Sequence, residues 1–289
     1  MKALLLALAL LLAIPLMAAE PPPPEFLPRQ ATQAGWTWVE TASWATTGHT
    51  LAKLGPVKVR DKAIDSKLSY ACQVAVQAME EAATSEVGVR CLDASRTEDG
   101  EAEELPVTGI DVLGLGVGPE RVFKGADGKR LKKPVREFFE TSFRDRDPTR
   151  QDPIELLLPP GAVAVGEGWD IDLDAVQSWF GPDRFVIDKA QSSARVTLLE
   201  LMDRADGRFG RLGFKTIIVP SSIQDGEFEE ARMVLSGSAL LPLNGDVPYL
   251  ELQLEMAMRY VGTFKAKGVK VDVDLDTVMT GFEKKEPSS

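Results

Sequence analysis

The chain has 289 residues, 44% of them apolar and 27% charged, and a formal net charge of −11 at pH 7. That is enough apolar material for a sizeable core. It is also too acidic a balance for a nucleic-acid partner, because an acidic surface gains nothing from releasing phosphate counterions.

The N-terminus carries one cation, Lys2, then an apolar run from Ala3 to Leu16, then Ala18 and Ala19. This layout predicts a secretory signal peptide over residues 1–19, cut after Ala19. The other reading is an uncleaved anchor, but the run is shorter than the roughly 20 residues that span a bilayer. Four prolines follow at 21–24. They favour an extended, unpaired backbone, so residues 20–33 are expected to be a Pro-rich tether. No later stretch is apolar enough to cross a membrane as a helix. The expected location is the periplasm or the exterior.

Trp36, Trp38 and Trp44 crowd the next segment. Tryptophans at alternate positions can grip an apolar ligand or a sugar, although tryptophan more often packs in a core. The lone histidine, His49, sits in TTGHT without a nucleophile beside it. Residues 68–78, LSYACQVAVQA, alternate in polarity, and so do 86–92, EVGVRCL. One antiparallel register satisfies both runs. It sets Val76 against Val87, Val74 against Val89, and Cys72 against Cys91. Export together with two cysteines predicts a Cys72–Cys91 disulfide. The alternatives are two free buried thiols or a metal pair, and two thiolates alone do not complete a zinc site.

GLGVG at 114–118 lacks the helix that a phosphate loop requires and reads as a glycine-bent strand or turn. ERVFKGADGKRL at 120–131 carries an Asp-Gly hairpin signal. In KKPVREFFETSFRD, Pro134 suits a first helical turn, and Val135, Phe138, Phe139 and Phe143 share one helical face. This predicts a helix that covers one side of the sheet. DPIELLLPP is a short apolar turn stopped by two prolines.

WDIDLDAV at 169–176 and VDVDLDTV at 271–278 place Asp170, Asp172, Asp174 and Asp272, Asp274, Asp276 at alternate positions. A calcium loop of the EF type needs glycine at its sixth position, and neither segment supplies it. The apolar residues between the aspartates predict the solvated face of a strand in both places, and no metal site. Further hairpins are expected from 195–202 with 211–219, and from 233–241 with 250–260 across Asn244-Gly245. Met202, Met256 and Met258 on strand faces can line a soft apolar cavity, although methionine in such places more often packs in an ordinary core.

The stretch LPPGAVAVGEGWDIDLDAV, with RVTLLELMDRADGRFGRLGF after it, resembles a loose group of uncharacterised secreted bacterial proteins. The resemblance rests on Leu158, Pro159, Val163, Val165, Gly166 and Trp169. It implies an antiparallel β fold over about residues 105–280 and no known activity. At a coarser level, a curved sheet with few helices is similar to periplasmic lipoprotein-carrier and lipid-binding folds.

The expected fold is mainly β: a large curved antiparallel sheet or open barrel of hairpins with one or two covering helices. It occupies residues 34–283, with a subdivision near 150–160 left open and a disordered tail over 284–289. The expected function is non-enzymatic binding in the cell envelope, of an apolar or lipid-like molecule or of an envelope protein. Trp36, Trp38, Met256 and Met258 are the ligand-binding candidates. No cofactor is expected. The alternatives are a structural or assembly module of the envelope with a filled core, and a hydrolase using a carboxylate pair.

Overall fold

The computed structural model describes residues 33–80, 83–117, 120–143, 153–180, 185–205, 207–224, 226–243, 248–266 and 269–288. The proposed signal peptide and nearly all of the tether lie outside these residues, as do Asn244–Asp246.

The first half supplies β1 (Thr37–Leu54), β2 (Val57–Glu80), β3 (Ala83–Glu98), β4 (Glu101–Glu104), β5 (Asp111–Leu115) and β6 (Val122–Gly125). Then come α1 (Lys133–Phe143), α2 (Pro153–Leu156), β7 (Gly168–Asp170), α3 (Leu173–Phe180) and β8 (Phe185–Ile187). The chain ends with β9 (Ser193–Arg204), β10 (Gly207–Ile218), β11 (Pro220–Ile223), β12 (Gly226–Pro242), β13 (Leu250–Ala266) and β14 (Val269–Pro287).

All fourteen strands belong to one antiparallel sheet, in the order β6-β5-β3-β2-β1-β14-β13-β12-β10-β9-β7, with β4, β8 and β11 attached beside this path. The two end strands do not pair, so the sheet is open. Most neighbours are consecutive hairpins. The exception at the centre is β1 with β14, which pair from Trp38↔Pro287 to Lys53↔Asp272 and join the two halves. The sheet therefore takes strands from both sides of residues 150–160.

The β2–β3 register is the expected one: Val76↔Val87, Val74↔Val89 and Cys72↔Cys91. Alternation places the same residues on one face, and that face carries the core. At one end α1 covers it. Val135, Phe138 and Phe139 of α1 pack with Tyr70, Val89, Val112 and Phe123 of the strands. Tyr70 meets Phe138 edge-on at 5.6 Å, and Phe139 stacks on Phe123 at 6.1 Å. The predicted helix and its apolar stripe are both present. At the other end, Ile154 and Leu157 from the α2 turn, with Val163 and Trp169, cover Val196, Leu198, Leu212 and Phe214.

Three expectations are corrected. Residues 169–176 do not form one strand. β7 stops at Asp170 and α3 begins at Leu173. Asp172 caps this helix, its Oδ1 accepting the backbone N–H of Asp174 at 2.9 Å. Aspartate is among the best residues for that position, and the cap outweighs a short period-two pattern. The supposed tail is also structured: β14 runs through Pro287, and Ser288 N–H donates to Thr37 O at 3.1 Å. Finally, Cys72 and Cys91 face each other as free, buried thiols, so the expected disulfide bond is not formed.

Candidate functional site

The core face changes character at the centre of the sheet. Following the register across β1, β14, β13 and β12 gives successive rows of side chains on that face. Trp44, Gly281, Leu254 and Gly237 form one row. Thr46, Met279, Met256 and Leu235 form the next, and Gly48, Thr277, Met258 and Met233 the one after. Then come Thr50, Leu275, Tyr260 and Ala231. Met233, Leu235, Leu254, Met256, Met258, Leu275 and Met279 are each only half-buried. No described helix lies over them. With strands about 4.8 Å apart and same-face residues about 7 Å apart, this floor measures roughly 14 by 20 Å.

Its walls are the rims of the two covered patches. Trp44 and Leu68 pack at the edge of the α1 patch, and Leu235, Leu252 and Leu254 at the edge of the opposite one. The aromatic row is flattened by glycine. A Cβ on Gly281 would lie 2.2 Å from the Trp44 ring, and one on Gly237 would lie 2.8 Å from the Phe214 ring. Both rings therefore lean across strands that carry no side chain at that point. The result is a shallow apolar trough with an aromatic end and a methionine-rich floor.

The opposite face of the same strands is polar. It carries Gln253, Glu255 and Arg259 of β13 and the Asp272–Asp274–Asp276 ladder of β14, which is a strand face as expected. Asp274 accepts from Arg259 Nη1, and Asp272 accepts from Thr263 Oγ1 at 3.0 Å. His49 is exposed on this face and bonds Asp61 at 2.8 Å. From the first aspartate segment, Asp170 binds Arg195 at 2.9 Å and Asp174 binds Lys189 at 2.6 Å.

Of the ligand candidates, Met256 and Met258 lie in the trough floor. Trp38 is on the same face but level with Pro287, eight residues along the strand from the row of Met256, or roughly 27 Å. It belongs to the α1 patch, and Trp36 precedes it by two residues. The structure does not bring the two pairs together. Trp44 is the tryptophan beside the methionines. Met202 faces away, against Phe209, Leu240 and Tyr249. Trp169 is core, and its indole N–H has no partner among the described residues.

One buried carboxylate stands out. Glu40 is 6% exposed, accepts from Tyr70 Oη at 2.9 Å and Trp38 Nε1 at 3.4 Å, and lies 3.8 Å from Lys285 Nζ. Burial raises its pKa; the Lys285 ammonium pulls it down and Glu283 pushes it up, with burial prevailing. Next to it, a hydrogen bond to Cys91 and burial push the Cys72 thiol up. This cluster sits inside the α1 patch rather than in a cleft. A separate depression of about 510 Å³, open to solvent, lies between the β5–β6 turn and α1, lined by Ile110, Ala126, Leu131 and Val135.

No family model matches the chain, and no curated protein does. The chain is similar to a solved structure described as "Lipid-protein interactions in lipovitellin", at a TM-score of 0.37 and 6% identity. The match covers 89% of this chain and 26% of that one, so the chain spans about a quarter of the length of the protein it matches.

Proposed function

We propose that this protein is a non-enzymatic binding protein that holds an apolar, lipid-like ligand against the central trough of its sheet. The observation that carries this reading is the run of partly buried methionines and leucines that no described helix covers, between two covered patches. A contiguous apolar surface of this kind is costly to leave in water and commonly marks a binding site. Methionine on its floor adapts to ligands of varied shape. Glu40 and its neighbour Glu283 share Lys285 inside the α1 patch, where they tie the sheet together, and this favours binding over carboxylate hydrolysis. The N-terminal sequence favours export to the periplasm or beyond.

The test is titration with a fluorescent long-chain acyl probe. Wild-type protein should bind it, and a Met256→Glu/Met279→Glu variant should bind at least about tenfold more weakly, equivalent to ~1.4 kcal/mol. Equal binding by folded wild type and variant, or none by either, removes the trough from the proposal and leaves a structural module of the envelope as the better reading.

A further inference from the structure

We infer that the paired tips of the β1–β2 and β13–β14 hairpins form a docking surface for an anionic lipid bilayer. β1 and β14 are neighbours, and Lys53↔Asp272 is the last pair of their register, so the two tips project side by side from one end of the sheet. Large apolar side chains are strongly exposed there. Leu54 is 42% exposed, Val57 59%, Val59 55% and Val269 45%. These are four of the nine such residues among the described part of the chain. None of the four belongs to a buried apolar cluster among the described residues.

The same tips reverse the charge of the protein. Against a net charge of −11, residues 51–62 carry Lys53, Lys58, Arg60 and Lys62 with only Asp61, and the described residues 263–266 and 269–272 carry Lys265 and Lys270 with only Asp272. Some of these cations are paired: Lys58 with Asp61 at 2.7 Å, Lys62 with Asp99 at 2.9 Å, and Lys265 and Lys270 with Glu227 at 3.8 and 3.6 Å. Lys53 and Arg60 have no ion-pair partner among the described residues. Aliphatic side chains ringed by lysine and arginine match a bilayer interface. The apolar groups enter the headgroup boundary while the cations meet lipid phosphates. A protein partner would have to offer the same pairing of acidic rim and apolar centre; the bilayer offers it along its whole surface.

This inference does not depend on the trough, and its readout is placed at the tip. The full chain would carry Val57→Cys labelled with an environment-sensitive fluorophore, and a control would carry Val165→Cys, which is 54% exposed in the loop before β7. The native thiols are buried and react poorly. Vesicles of mixed phosphatidylglycerol and phosphatidylcholine should blue-shift the label at residue 57 and leave the label at 165 unchanged. Pure phosphatidylcholine should act far more weakly. Adding Lys53→Glu and Arg60→Glu should weaken the response to anionic vesicles by at least about tenfold. No shift at residue 57, equal shifts at both labels, or a shift indifferent to charge reversal would each overturn the proposal. A response to added protein but to no vesicle would assign the tips to a protein partner instead.

Discussion

Phe139 in the α1 patch has no exposed surface, whereas Met256 and Met279, on the same face of the same sheet, are only partly buried. Both regions arise from the same rule. Period-two strands put their apolar residues on one face. What separates them is cover. Eleven residues of α1 lay three phenylalanines and a valine over β2, β3, β5 and β6. Nothing described lies over β1, β14 and β13 at mid-strand. One region is therefore a core and the other a surface with core composition. The comparison teaches that alternation predicts which residues share a face, and only the covering elements decide whether that face is filled or left for a ligand.

The largest effect should come from breaking the covered region. Phe139 contacts Phe123, Phe138 and Phe143 with ring centroids 5.2 to 6.1 Å apart. Phe139→Ala should cost about 3–5 kcal/mol in denaturant unfolding, the range for removing a fully buried phenylalanine. Met256→Ala should cost less, about 1–2 kcal/mol, because its side chain is only partly buried and leaves no closed cavity. A loss as large at Met256 as at Phe139 would mean that the trough is packed in solution and the contrast is false.

The sequence made one of these regions far more legible than the other. The β2–β3 register follows from local alternation and a short connection, and the α1 stripe from its helical period. Both contribute to the covered patch. The trough depends on β1 pairing with β14, the first strand with the last. No local pattern announces that seam, so Trp44, Leu235 and Met279 could not be joined to Met256 in advance. Once the seam is known, the parity of each strand assigns them. The misread segment at 169–176 failed for another reason. Three alternating aspartates fit a strand face and a helix cap equally well, and only the packing of Val176 with Ile187, Ala194 and Ile218 selects the helix.

The covered region can also be sharpened by oxidation. Cys72 and Cys91 are opposite each other and buried. Closing the loop between them should stabilise the fold by about 3 kcal/mol in the chain-entropy model. Their shared hydrogen bond holds the Cys72 thiol up and the Cys91 thiol down, so thiolate forms at Cys91; both are fully buried, and oxidation of the folded protein should be slow for want of access. Treatment of the folded protein with a mild oxidant should remove both thiols slowly, read by titration of unfolded, unreduced protein, and the oxidised form should melt above the untreated one. No gain in melting temperature on oxidation would show that the bond strains the fold by as much as it constrains the unfolded chain.

The smallest effect concerns Glu40, which lies where the covered patch gives way to the seam, between Tyr70 on β2 and Lys285 on β14. Its folded pKa is raised above the ordinary value of 4.5, with burial as the largest cause. A raised carboxyl means that the folded state holds its proton more tightly than the unfolded state. The stabilisation is fully present below about pH 4.5 and is lost as pH rises through the folded value, where burial of the charge opposes folding. Glu40→Gln removes that dependence while keeping a side-chain oxygen for the Tyr70 hydroxyl. The variant should therefore gain on wild type as pH rises from 4.5 towards neutrality, and the difference should level off once Glu40 is ionised in both states. Lys285 works against this trend by favouring the charged carboxylate, so Lys285→Met should steepen it, since Glu40 would then ionise without its 3.8 Å partner. The measurement is the melting temperature of wild type and both variants across that range. If Glu40→Gln instead loses stability steadily as pH rises, the Lys285 pair outweighs burial, and Glu40 is an ion-pair residue that ties the two halves of the sheet together at the seam.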